Sequence, residues 1–195
     1  MKKALSLTTL IVAATLALAG CGSNGADSSS SSSVTHNQQD VTFATDMVPH
    51  HLQAVQMAEM AQTRASSAAV KTLADQIKAA QGPEINTMSG WLKSWGEDVP
   101  DESMGGMDGM DGMDSGNSGM PGMMSDQVMS DLGAATGDTF DQMWLESMIA
   151  HHEGAVQMAD TEIADGKDPD AIALAKSIKA AQTTEIATMK TLLAP

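Results

Sequence analysis

Apolar residues recur at spacings of three and four along most of the chain, which is the pattern of amphipathic helices. The pattern predicts four long helices, at about residues 41–63, 66–95, 138–165 and 169–193, and a short helix at about 125–134. No segment alternates between apolar and polar residues as a half-buried strand would. The sequence therefore predicts an all-α fold.

Residues at the ends of these helices support the assignment. Asp168 followed by Pro169 is typical of a helix start, with a capping side chain and then proline at the first helical position. Gly166 is a suitable end for the preceding helix. Pro49 and Pro83 fall inside predicted helices, where each removes a backbone hydrogen bond. We expect each proline to kink its helix, although Pro49 could instead mark a helix start.

The chain contains an internal duplication. MVPHHLQAVQMAEM at 47–60 matches MIAHHEGAVQMADT at 148–161, and IKAAQGPEINTM at 77–88 matches IKAAQTTEIATM at 178–189. Both matches have the same offset of 101 positions, so a unit of about fifty residues is repeated. Each unit holds two helices, which cannot bury their apolar faces alone. The duplication predicts a four-helix bundle built from two repeated helical hairpins.

The N-terminus carries a targeting signal. Lys2 and Lys3 precede a short apolar run, and Leu-Ala-Gly-Cys ends at Cys21. This ending resembles the bacterial lipobox, which implies a signal peptide at 1–20 and lipidation of Cys21. A plain signal peptide or a membrane anchor is the alternative, but the run is short for a membrane span. We therefore expect a lipid-anchored protein on the extracytoplasmic face of the cell membrane, at the cell surface or in the periplasm.

The rest of the chain divides by composition. Residues 21–40 are rich in Ser and predict a flexible tether. Residues 41–195 form the duplicated domain, with repeat one at about 41–97 and repeat two at about 138–195. A linker rich in Met, Gly and Asp joins the repeats at about 98–137. Outside its short helix, we expect this linker to be disordered without a ligand.

Composition excludes some functions. The chain has 25 acidic and 10 basic side chains and a formal net charge of −15, which argues against nucleic-acid binding. The single Cys excludes a disulfide framework and a thiolate metal cluster. The Glu-x-x-His pattern of di-iron bundles, the zinc-protease HExxH pattern and a Gly-rich phosphate loop are all absent. We therefore expect no enzyme activity.

Paired histidines lie among methionines in both repeats. Residues four or seven apart share a helix face, so each pair has methionines beside it. Adjacent histidines point about 100° apart, and they either serve two faces or lean into one cavity. Methionines at helical spacing are also common core residues. The residues are Met47, His50, His51 and Met57 in repeat one, and Met148, His151, His152 and Met158 in repeat two.

The second helix of each repeat carries a carboxylate followed by a methionine. Glu84 and Met88 are four apart, as are Glu185 and Met189. Glu185 falls inside an apolar stripe, and a buried carboxylate needs a partner. A histidine or a metal ion on the facing helix would supply one, so these four residues are further candidate metal ligands.

The linker methionines cannot be explained by core packing, because a Gly/Asp-rich segment has no core to fill. Thioether sulfur is a soft ligand that suits Cu(I) and similar ions. Outside the cytoplasm thiols oxidise, so methionine is a sensible soft ligand there. Low-complexity sequence is the other explanation. These methionines include Met104, Met107, Met110 and Met113.

The His-His motifs, each followed by AAQxxEIxTM, resemble the signature of the domain of unknown function 305 family. The match covers about residues 42–193. The resemblance implies a ferritin-like four-helix bundle, usually exported, and copper handling in some members. It also implies that the methionines and paired histidines of the HH motifs are the ligands. Ala150 departs from the usual proline of the motif, so the two sites need not be equivalent.

Three functions follow from these features. The first is an extracytoplasmic copper-binding lipoprotein for copper sequestration or resistance, with Cu(I) as the favoured ion and Cu(II) or Ag(I) as further candidates. The second is a metal-independent lipoprotein that positions a bundle for a protein partner of unknown identity. The third is a copper oxidase, which catalytic turnover of Cu(I) would distinguish from stoichiometric binding.

Overall fold

The computed structural model describes residues 35–100 and 120–194. Within them the chain forms five helices and no strand, which confirms the all-α prediction for this part. Cys21 and the methionines from Met104 to Met113 lie outside the described residues, so their predicted roles stay predictions. The helices are α1 (Gln38–Arg64), α2 (Ala68–Trp95), α3 (Asp126–Ala134), α4 (Gly137–Asp165) and α5 (Pro169–Leu193).

Helix α1 begins earlier than the pattern predicted because Asn37 provides a cap. The Asn37 side chain accepts hydrogen bonds from the N–H groups of Gln39 and Asp40, at 2.8 and 3.1 Å. The Asp40 carboxylate accepts in return from the Asn37 N–H, at 2.5 Å, which completes a capping box. The predicted tether therefore ends before Asn37, and Pro49 lies within α1. The alternative in which Pro49 starts a helix is wrong.

The predicted start of α5 is confirmed at its cap. The Asp168 side chain accepts hydrogen bonds from the N–H groups of Asp170 and Ala171, at 2.9 and 3.1 Å. Pro169 occupies the first helical position, where its missing N–H costs nothing. Gly166 follows the last residue of α4, as predicted.

Two hairpins make up the described domain. Helix α1 packs along α2, and α4 packs along α5, while α1 and α4 bring the two hairpins together. The turns between the paired helices are short, as expected for neighbours in one hairpin. The histidine motifs lie on α1 and α4, so this arrangement places the two motifs against each other.

Each hairpin is tied to the other by an aspartate near the start of its first helix. Asp40 of α1 accepts from the N–H groups of Lys167 and Asp168, both at 2.9 Å, in the turn between α4 and α5. Asp141 of α4 accepts from the Ser67 N–H at 2.8 Å in the turn between α1 and α2. Asp40 and Asp141 are equivalent residues of the two repeats. The hairpins therefore stabilise each other's turns reciprocally.

The buried core consists of two clusters with equivalent members. One, the Met47 cluster, includes Met47, Met88, Phe43 and Ile178. The other, the Met148 cluster, includes their counterparts Met148, Met189, Trp144 and Ile77. Each cluster thus takes residues from both hairpins, and neither hairpin encloses a core of its own. Among the described residues, no helix is both long and apolar enough to cross a membrane.

Candidate metal centre

Four histidines meet where α1 packs against α4. His50, His51 and His152 are fully buried, and His151 is 1% exposed. The rings of His50 and His151 lie in contact, with centroids 3.7 Å apart and planes tilted by 35°. Because these two histidines are equivalent residues of the repeats, their contact lies on the approximate two-fold axis relating the hairpins.

The second histidine of each pair, His51 or His152, contacts the other helix of its own hairpin. The His51 Nε2–H donates to Glu84 Oε2 at 2.8 Å, and the His152 Nε2–H donates to Glu185 Oε2 at 2.7 Å. The sequence predicted that Glu185 would find a partner such as histidine on the facing helix, and this is confirmed. Adjacent histidines therefore serve two directions, one towards the other hairpin and one towards the partner helix.

Each ring that is held through Nε2 leaves its Nδ1 without a partner. His50 donates its Nε2–H to the carbonyl oxygen of Pro121, at 3.2 Å. The Nδ1 atoms of His50, His51 and His152 are buried and make no hydrogen bond within the described residues, and neither ring nitrogen of His151 makes one. A buried polar atom without a partner costs about 1–3 kcal/mol. The fold retains five such atoms in one place.

Burial keeps the two central histidines uncharged. Desolvation, together with the neighbouring His51 and His152, lowers the pKa of His50 to about 3. Desolvation also lowers the pKa of His151 well below its usual value, helped by His50. Both rings are therefore neutral at neutral pH, and a neutral imidazole has one nitrogen lone pair available to a metal ion.

The methionines predicted as ligands are distributed between the two core clusters. Met47 and Met88 lie in the Met47 cluster, and Met148 and Met189 lie in the Met148 cluster; all four are fully buried. The remaining two methionines each pack in the cluster that is named after a residue of the other repeat. Met57 of repeat one is buried in the Met148 cluster, and Met158 of repeat two packs, partly buried, against the Met47 cluster.

Each cluster therefore combines three of the methionines considered as ligands, and both repeats contribute to each set. Met158 also lines a cavity of about 260 Å³ together with Asp46 and Pro121. Desolvation raises the pKa of the Asp46 carboxyl in this cavity.

Residues Met120–Met124, here called the strap, lie against α1 and α4 beside the histidines. The expectation that the linker outside its short helix is disordered is wrong for this stretch. Gln53 of α1 holds Met124 by two hydrogen bonds: its amide donates to the Met124 carbonyl at 2.9 Å, and its carbonyl accepts from the Met124 N–H at 2.8 Å. The strap thereby brings the Pro121 carbonyl to His50.

Two glycines allow the strap to approach this closely. A Cβ atom on Gly154 of α4 would lie 2.0 Å from the Pro121 carbonyl oxygen. Gly122 has φ +79°, which favours glycine, and a Cβ there would lie 2.8 Å from two carbonyl oxygens of α4. Sequence reasoning missed Gln53, Pro121 and both glycines. The one available signal was that Gly154 replaces Gln53 in an otherwise similar repeat.

Within residues 35–100 and 120–194, no three side chains of His, Cys, Asp or Glu are placed to hold one metal ion together. The His51–Glu84 and His152–Glu185 pairs instead form two separate contacts, one within each hairpin.

Solved structures resemble this chain over most of its length. A DUF305 protein from Streptomyces coelicolor, inferred to be secreted, is 31% identical, with a TM-score of 0.68 over 80% of this chain and 91% of its own. A DUF305 fragment from Deinococcus radiodurans is 27% identical, with a TM-score of 0.69 over 80% and 96%. CopM in its Cu(II)-bound form is 33% identical, with a TM-score of 0.64 over 78% and 94%.

CopM has also been solved with Cu(I) and with Ag bound. Among curated proteins, none matches the sequence at a significant level. The model of the domain of unknown function DUF305 matches residues 40–193, which include both histidine motifs and all five helices apart from the first residues of α1. The chain is a member of the DUF305 family.

Proposed function

We propose that this protein binds copper outside the cytoplasm, as a lipoprotein anchored through Cys21, and serves in copper sequestration or resistance. Its domain is a ferritin-like four-helix bundle made of the two repeated hairpins. Cu(I) is the favoured ion, with Cu(II) and Ag(I) as alternatives. The protein acts by binding rather than by catalysis.

One observation carries the proposal: three buried histidines are each held through Nε2 and present an unpartnered Nδ1. Histidines that bind metals in proteins usually donate their other ring N–H to a carboxylate or a carbonyl oxygen, which fixes the ring. Glu84, Glu185 and the Pro121 carbonyl are acceptors of these two kinds. The donor set therefore fits a metal that takes imidazole nitrogen.

The buried methionines favour copper over a harder metal. Met47 and Met148 lie one helical turn before His51 and His152 and are fully buried. Met88 and Met189 likewise lie one turn after Glu84 and Glu185. Imidazole with thioether sulfur suits copper, and sulfur favours its Cu(I) state. The similarity to CopM, solved with Cu(I), Cu(II) and Ag, supports the same choice of ions.

Extracytoplasmic placement rests on the signal at residues 1–21 and on the likeness to the Streptomyces protein inferred to be secreted. The acidic composition attracts cations but does not select among them. Met104, Met107, Met110 and Met113 would capture ions weakly in the linker. Selectivity therefore depends on the histidines and methionines of the bundle.

The test is an anaerobic titration with Cu(I) against a competing chelator. Met47→Leu and Met148→Leu keep an apolar side chain of similar volume, so the fold should tolerate them. We expect the double variant to bind at least about tenfold more weakly, because two soft ligands are lost.

Met143→Leu is the matched control, since Met143 lies on α4 and packs only partly buried against the Met148 cluster. Equal affinity of all three proteins would refute the bundle ligands. Catalytic oxidation of excess Cu(I) under oxygen would instead indicate an enzyme.

A further inference from the structure

His50 differs from the neighbouring histidines in the acceptor that holds its ring. His51 and His152 each donate to a glutamate on the partner helix of their own hairpin. His50 donates instead to the Pro121 carbonyl, which belongs to the strap and not to any helix. The orientation of His50 therefore depends on whether the strap is docked.

The strap reaches His50 because two unlike residues stand at equivalent positions of the repeats. On α1, Gln53 pairs with both backbone groups of Met124. On α4, the equivalent Gly154 leaves room for Pro121 and Gly122, which a Cβ atom would meet at 2.0 to 2.6 Å. The second hairpin thus has no side chain at the position where the first has Gln53, and the strap fits between α1 and α4.

We propose that the strap is a positioning element of the metal centre, and that Pro121, Gln53 and Gly154 set metal affinity through His50 rather than as ligands. This inference rests on the proposed function. A carbonyl oxygen can only accept, so the docked strap places the single proton of the neutral ring on Nε2 and the lone pair on Nδ1. An undocked strap leaves the ring orientation and its tautomer unfixed.

The test compares two glycine substitutions in helices. Gly154→Ala prevents docking, whereas Gly90→Ala in α2 meets no atom within 4 Å and is the matched control. Alanine favours a helix more than glycine does, so neither variant should unfold the domain. In a competitive Ag(I) titration, we expect Gly154→Ala to bind about 10- to 100-fold more weakly, as is usual when a group that orients a ligand is lost. Gly90→Ala should match the wild type.

Two measurements on the metal-free protein report docking directly. Nitrogen NMR should show the Nε2–H tautomer of His50 in the wild type and a mixture of tautomers in Gly154→Ala. Hydrogen exchange at the Met124 amide should be slow in the wild type and faster in the variant, because its bond to Gln53 is lost. Gln53→Leu, which removes both bonds to Met124, should reproduce these changes without altering α4.

The outcomes separate this inference from the proposed function. If hydrogen exchange shows an undocked strap in Gly154→Ala while Ag(I) affinity is unchanged, the positioning role is overturned and metal binding stands. If the Met124 amide and the His50 tautomer are unchanged in both Gly154→Ala and Gln53→Leu, the role is overturned as well. If the wild type binds neither Ag(I) nor Cu(I), the proposed function fails, whatever the strap does.

Discussion

The orphaned nitrogens of His151 make a quantitative prediction about stability. Replacing His151 with Leu, an apolar side chain of similar size, removes two buried atoms that have no hydrogen-bond partner. Each such atom costs about 1–3 kcal/mol, and the new side chain keeps contact with the His50 ring. After some loss from imperfect packing, we expect a gain of about 1–3 kcal/mol in the free energy of unfolding. In a domain of this size, 1 kcal/mol raises the melting temperature by about 2–4 °C.

The neighbouring His152 provides the control. It is equally buried, but its Nε2–H donates to Glu185, whose side chain is 19% exposed. His152→Leu removes that bond and leaves the carboxylate without its partner. The substitution also removes the unpartnered Nδ1 of His152, so the two effects largely offset and we expect stability to change by less than about 1 kcal/mol. Of two identical substitutions at adjacent positions, only His151→Leu should therefore stabilise the protein clearly.

The assay is thermal unfolding of the metal-free protein, repeated with Ag(I). A ligand at 100 times its dissociation constant stabilises the folded state by about 2.7 kcal/mol, and both variants should lose much of that gain. If His151→Leu gives a melting temperature no higher than that of His152→Leu, the His151 nitrogens are satisfied in solution and the reasoning is refuted. A stabilised variant that still binds Ag(I) like the wild type would remove His151 from the metal centre.

Three further predictions follow from other buried and exposed groups. Burial raises the pKa of Glu162 to about 8, and the adjacent Asp40 adds to the rise. The stabilisation from the neutral carboxyl is therefore complete below the ordinary glutamate pKa of 4.5 and is lost as pH rises through about 8. Urea unfolding at a series of pH values should show this loss in the wild type and not in Glu162→Gln; parallel curves would contradict it. Trp144→Phe removes the bond from Nε1–H to the Met57 carbonyl, at 2.8 Å, and should cost about 1–3 kcal/mol in urea unfolding. A change below about 0.5 kcal/mol would show that the bond is immaterial. Lys179→Ala breaks an exposed ion pair with Asp160 and should change stability by less than about 1 kcal/mol in the same assay.

The helices and the histidine–glutamate pairing could be predicted from the sequence because both depend on regular spacing. Apolar periodicity gave the helices to within a few residues, and the duplication gave the relation between the hairpins. Glu185 in an apolar stripe required a partner, and a histidine pair at the equivalent place in each repeat was a suitable one. Helical spacing and internal repetition can both be recognised in a sequence without knowledge of how the helices pack.

The strap, and the core clusters in which Met57 and Met158 pack, could not be predicted in this way. Pro121 contacts His50 through its backbone carbonyl. Every residue has this group, so the type of residue at position 121 does not indicate the contact. Met57 and Met158 carry a periodic signal, but periodicity places a side chain on a face and does not say which hairpin that face meets. The tautomers of the histidines depend on those same contacts, so they too required the structure.

The reciprocal contacts of Asp40 and Asp141 have a consequence for the origin of the chain. Each aspartate completes a turn in the opposite hairpin, and each methionine cluster is closed by a residue from the other repeat. A single hairpin carrying one copy of every such residue would meet all of these needs by pairing with a second copy of itself. An ancestral chain of one such hairpin would then have been a symmetric homodimer, with its two central histidines in contact on the dimer axis. Gene duplication made the two hairpins one molecule, in which one equivalent position can hold Gln53 in the first and Gly154 in the second. That difference admits a strap that a symmetric dimer could not hold on one side alone.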